Sequence, residues 1–126
     1  MSIEQGIDQV WLFTWEVPED EYTIPIGKAR VVSEGEEITM ISWGAAVVQC
    51  RSALEHSDRS IELIDLRTIA PLDMNTVIAS VKKTGRVVIV HEAPKNVGLG
   101  AELAAAIMES CFLHLAAPIQ RVTGYD

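Results

Sequence analysis

The pair His91-Glu92 closes the β-prone run Arg86–His91. An imidazole beside a carboxylate suits proton transfer or metal binding. The zinc pattern HExxH, however, needs a histidine at position 95, where the chain has Lys95. His56 and His114 fall in helical stretches and share no ligand spacing with Cys50 or Cys111. Gly98-Leu99-Gly100-Ala101-Glu102 opens a helix, where free backbone N–H groups can hold a phosphate. A dinucleotide fingerprint wants a third glycine at the position of Leu103, and Glu102 puts negative charge where the anion would sit. Close packing between subunits explains these glycines better. Asp65 and Arg67, with Thr68, Pro71 and Asp73, make another polar group at a strand end. Arg67 can pair with either carboxylate and so fix its loop. No serine or cysteine lies in a nucleophile elbow, and there is no Walker loop. The residues supply no catalytic, cofactor-binding or metal-binding set.

What remains for these side chains is structure and contact. His91 and Glu92 are expected to organise the loop 92–100, His91 by donating to a loop carbonyl and Glu92 by accepting from the loop or a partner. Pro94 fixes the chain direction, while Gly98 and Gly100 allow a neighbour to approach. Asp65 and Arg67 tie down the loop after their strand.

The elements that must position them alternate clearly. Short β-prone runs at Ala29–Ser33 and Ile38–Trp43 flank the polar turn Glu34-Gly35-Glu36-Glu37. A helix over Gly44–His56, a strand over Ile61–Leu66 and a helix over Met74–Lys83 follow. Strand Arg86–His91, helix Gly98–Leu115 and strand Pro118–Val122 complete the series. Such alternation predicts a parallel-sheet α/β layer structure. Asp73 is placed as an N-cap and Gly85 as a helix stop. Val87-Val88-Ile89-Val90 reads as a strand buried on both faces. Helix Gly98–Leu115 carries two apolar stripes, Leu99/Leu103/Ile107 and Met108/Cys111/Leu115, which predicts burial against the sheet and against a second subunit at Met108.

With 126 residues and 48% apolar content, the chain matches one domain with a real core. No apolar run reaches the ~18 residues of a membrane helix. Glu4 and Asp8 stand where a signal peptide would be basic, and the two cysteines read as reduced core thiols, so a cytoplasmic location is expected. The net charge of −8 is concentrated: residues 1–37 carry −7 and the remainder −1. Clustered Lys and Arg for phosphate are missing, which argues against nucleic acid. Residues 1–27 read as an extended acidic arm, with the aromatic stretch Val10–Trp15 and with Pro18 and Pro25 excluding a helix. Residues 28–126 read as the folded domain.

Longer stretches carry a family likeness. Glu16–Ala29 resembles the linker after the pyrimidine-binding domain of 2-oxo acid dehydrogenase beta subunits. Ile64–Asp73, Val81–Arg86, His91-Glu92-Ala93-Pro94, Gly98–Glu102 and Ala117–Asp126 resemble the same proteins in the same order. His91–Pro94, Cys111-Phe112-Leu113 and Gly124-Tyr125-Asp126 are most similar to the branched-chain (2-oxoisovalerate) type, with pyruvate and acetoin dehydrogenase beta subunits as near alternatives.

The resemblance implies a transketolase C-terminal-like domain, three-layered α/β/α, with a five-stranded mixed sheet and one antiparallel strand. It implies a parent oxidoreductase that decarboxylates a 2-oxo acid on thiamine diphosphate with Mg2+ and passes the acyl group to lipoamide. In that family this domain holds no cofactor. It joins the alpha subunit and a second beta subunit, and offers a surface to the acyltransferase core. The isolated chain is then expected to be inactive, and a eukaryotic version to lie in the mitochondrial matrix. Two departures stand out: Trp11, Phe13 and Trp15 replace a basic, tyrosine-containing strand end, and the family continues beyond Asp126. A truncated chain with a weakened core-binding surface is expected. The competing readings are a free-standing scaffold derived from the family and an independent small enzyme using His91 and Glu92.

Overall fold

The computed structural model describes residues 16–125. The aromatic stretch Val10–Trp15 therefore lies outside the described residues. From residue 16 to 26 the chain is exposed and forms neither helix nor strand. Five strands follow, β1 (Arg30–Ser33), β2 (Ile38–Ser42), β3 (Ile61–Asp65), β4 (Val87–Pro94) and β5 (Gln120–Gly124). Three helices connect them: α1 (Ala46–Glu55), α2 (Met74–Thr84) and α3 (Leu99–Cys111). The strand order is β1-β3-β2-β4-β5, with β1 antiparallel to β3 and every other pair parallel. This is the mixed sheet with one antiparallel strand that the family resemblance implies.

Side-chain alternation along the strands divides the layers. Ile41, Ile64 and Ile89 lie in register on one face, where they pack with Val77 and Val81 of α2 and Leu103 and Ile107 of α3. The other face receives α1 through Ala46, Val47 and Cys50. Both cysteines are buried and unpaired, and burial pushes both thiols above their ordinary pKa. The buried hydroxyls between β2 and α2 are matched. Thr39 Oγ1 lies 2.7 Å from both Ser80 Oγ and Thr84 Oγ1. Thr84 Oγ1 also donates to the Arg86 carbonyl and Ser80 also bonds Glu62, so replacing Thr39 by valine removes one of two partners from each hydroxyl, and a loss of about 1 kcal/mol is expected in urea unfolding. An unchanged midpoint would show that the bonds to Arg86 and Glu62 satisfy these hydroxyls without Thr39.

Several boundaries differ from the sequence expectation for identifiable reasons. The long helix stops at Cys111 and passes through a 3-10 turn, Phe112–His114, instead of running to Leu115. The chain must turn there, because the Ala116 N–H donates to the Gly85 carbonyl and Pro118 follows. The second apolar stripe is consequently divided: Cys111 joins the core, whereas Met108 stays 45% exposed. Strand β4 continues to Pro94, with a register shift between Val90 and Pro94 against β5.

Asp73 caps α2 as expected, its Oδ1 accepting from the Thr76 N–H at 3.2 Å, and Gly85 ends the helix at φ 69°.

Candidate functional site

Strands β3 and β4 flank β2 on opposite sides, so the chain connections diverge beyond the carboxyl ends of β2 and β4. Open α/β sheets bind ligands at such a point. Here it is filled by side chains. Trp43 leaves β2 and stacks on His91 of β4, ring centroids 5.1 Å apart and planes 17° from parallel. His91 is only 3% exposed, and neither ring nitrogen has a hydrogen-bond partner. The expected bond from His91 to a loop carbonyl is therefore absent: the ring stacks on Trp43, and its Nε2 edge meets the first turn of α3 at Gly100.

That first turn explains the two glycines. A Cβ on Gly100 would overlap His91 Nε2 and stand 2.7 Å from Cδ2; one on Gly98 would lie 2.5 Å from the Pro94 carbonyl oxygen. A close approach at both glycines is thus made within the chain, by the histidine ring and the loop. His91 and Glu92 do not converge. As adjacent strand residues they point to opposite faces, one buried and the other exposed, so they form no acid–base pair.

The other polar group lies at the end of β3. Asp65 pairs with Arg67 at 3.8 Å, and Asp65 Oδ1 accepts the Arg67 N–H at 3.1 Å. This contact steadies Arg67 at φ 58°. Of the two carboxylates open to Arg67, the structure selects Asp65. Asp73 is occupied elsewhere, its Oδ2 accepting from Thr76 Oγ1 at 2.7 Å and from the Ala29 N–H at 3.0 Å. Burial opposes ionisation of Asp73, but the bonds from Thr76 and Ala29 outweigh it and hold its pKa below the usual carboxylate value.

Glu62 behaves alike: burial opposes its charge, and bonds from Lys83, at 2.6 Å, and Ser80 prevail. Both groups have pKa values depressed by folding. Their stabilisation is therefore complete above the ordinary carboxylate range, about 4, and is lost as pH falls through the lower folded values. An acid titration of melting temperature should show this decline, and Asp73→Asn should flatten it. An unchanged acid limb in Asp73→Asn would contradict the assignment.

Met108 belongs to a different end of the molecule. With Ala104, Ala105, Phe112, Leu115 and the run 116–119 it lines a groove of about 560 Å3 carrying no charged side chain. Phe112 is 63% and Leu113 90% exposed beside it. The two apolar stripes foreshadow this surface, whereas nothing in the sequence marks Trp43 as the partner of His91. Among the described residues no three His, Cys, Asp or Glu side chains cluster to hold a metal ion. Nor is any of the helices there long and apolar enough to cross a membrane.

Comparisons with known proteins agree with this architecture. The family model described as "Transketolase, C-terminal domain" matches residues 27–126. A 2-oxoisovalerate dehydrogenase subunit beta, mitochondrial, from Dictyostelium discoideum is 59% identical over 115 residues, covering 88% of this chain and 31% of the relative. A pyruvate dehydrogenase E1 component subunit beta from Staphylococcus epidermidis is 50% identical over 117 residues, covering 90% and 36%. The chain thus spans about a third of the length of these relatives. Among solved structures, "Split gene transketolase, inactive beta4 tetramer" shares the fold with a TM-score of 0.66 at 24% identity, covering 88% of this chain and 37% of that one.

Proposed function

The chain belongs to the family of transketolase C-terminal domains, and from that premise we propose that it is the assembly domain of a 2-oxo acid dehydrogenase beta subunit of the branched-chain type. The observation that carries this reading is the 59% identity to a 2-oxoisovalerate dehydrogenase beta subunit across nearly the whole domain. The complete enzyme would decarboxylate a branched-chain 2-oxo acid on thiamine diphosphate with Mg2+ and pass the acyl group to lipoamide. This domain would take no part in the chemistry. Its filled switch point and its lack of a cation-binding cluster among the described residues favour cofactor binding elsewhere in the enzyme.

The domain's work is association. The apolar groove around Met108 and Phe112 is the surface offered to another subunit. An alpha subunit, a second beta subunit and the acyltransferase core are the partners of this reading. The location is the cytoplasm in a bacterium and the mitochondrial matrix in a eukaryote. Calorimetric titration of the chain with thiamine diphosphate and Mg2+ should give no saturable heat, and the chain should not turn over 2-oxoisovalerate. Sub-millimolar binding together with decarboxylation would overturn the assignment.

A further inference from the structure

The segment that enters the domain is held at one place. The Gly27 N–H donates to Thr68 Oγ1 at 2.9 Å, and the Ala29 N–H donates to Asp73 Oδ2 at 3.0 Å. Thr68 in turn donates to the Pro71 carbonyl at 3.1 Å, which keeps its oxygen turned toward Gly27. Asp73 is 6% exposed and its carboxylate also carries the cap of α2, so the acceptor is fixed by a helix. Gly27 has φ 77°, a conformation natural to glycine, and a Cβ there would stand 3.0 Å from Pro71 Cγ. Two bonds, a buried acceptor and a glycine-only turn thus converge on three residues. Immediately before them, residues 16–26 are exposed.

We infer that Thr68 and Asp73 form a latch that clamps the entering chain at Gly27–Ala29. The loop between β3 and α2 then fixes where any preceding part of the subunit attaches, and residues 16–26 pivot about Gly27. This use in a subunit rests on the function proposed above; the latch itself does not. A carboxylate that serves helix α2 and the entering chain together couples their order. Loosening the chain at Ala29 leaves one acceptor site of a buried Asp73 unused, which opposes release.

Limited proteolysis of the 126-residue chain tests the latch without reference to any enzyme activity. Trypsin must draw the chain around Lys28 into its cleft, which requires Gly27–Ala29 to leave Thr68 and Asp73. A glutamate-specific protease can cut after Glu16, Glu19 or Glu21 with the latch closed. In the unmodified chain, cleavage after Lys28 is expected to be much slower than cleavage after these glutamates. Thr68→Val and Asp73→Asn should each accelerate the Lys28 cut about tenfold, the scale of one lost hydrogen bond, and leave the glutamate cuts unchanged. Thr68→Val does not touch the helix cap, so it decides the matter should Asp73→Asn fail to fold. Equal rates at Lys28 and the glutamates in the unmodified chain, or no acceleration in a folded Thr68→Val, would overturn the latch. Failure of the chain to join an alpha subunit would count against the proposed function and leave this result standing.

Discussion

Replacing Gly100 by alanine should destabilise the domain by about 2 kcal/mol, the scale of an overpacked core. The sign is informative, because glycine to alanine in an unobstructed helix gains about 0.5–1 kcal/mol. At this position the new methyl group would meet the Nε2 edge of the His91 ring, whose face stacks on Trp43. The ring is buried and stacked on Trp43, so a shift away from Gly100 must disturb its packing. His91→Ala removes the obstacle, and in that background Gly100→Ala should become neutral or stabilising. The double-mutant cycle should therefore show a coupling of about 2 kcal/mol, within the range for residues in contact. Urea unfolding of the four proteins measures it. A neutral or stabilising Gly100→Ala in the presence of His91 would show that the ring can turn away.

Met108→Glu should raise the monomer fraction of the chain strongly, with little change in its melting temperature. Met108 is 45% exposed in the isolated domain, so a glutamate there keeps its hydration. In a subunit contact across the groove, the same carboxylate would have to give up water opposite Phe112 and Leu115 with no partner charge in the lining. A loss of association by about 100-fold or more is the expected scale for an unpaired desolvated charge. Sedimentation over a range of concentrations measures it. A monodisperse monomer of the unmodified chain at high concentration would show that the groove is not a contact between copies.

The order of strands and helices was legible because both hydrophobic periods are strong. The β-branched run at Val87–Val90 and the 3.6-residue spacing of Met74, Val77, Ile78 and Val81 leave little choice of element. Capping by Asp73 and the stop at Gly85 were legible for the same local reason. The end of α3 was not, because it depends on a backbone bond between Ala116 and Gly85, residues distant in the sequence. His91 stands out in the sequence by its place near the carboxyl end of a strand, yet its surroundings are hidden there. Trp43 lies 48 positions away and meets it only because β2 and β4 are neighbours in register. Likewise the second role of Asp73, as acceptor for Ala29, needs the entering chain to lie across the end of β3. Local spacing reports local structure; these contacts are products of the topology.

A chimera tests the central account most directly. The matching 115 residues of the Dictyostelium 2-oxoisovalerate dehydrogenase beta subunit can be replaced by those of this chain, leaving the relative's flanking sequence in place. The purified chimera would be mixed with the relative's alpha subunit, and the turnover of 2-oxoisovalerate per assembled complex measured. If this domain supplies assembly and no chemistry, the chimera should join the alpha subunit and turn over within about tenfold of the parent, well short of the 10²–10⁴-fold expected for a lost general acid or base. A folded chimera that fails to assemble, or one that assembles fully yet loses about 10³-fold in turnover, would contradict the account.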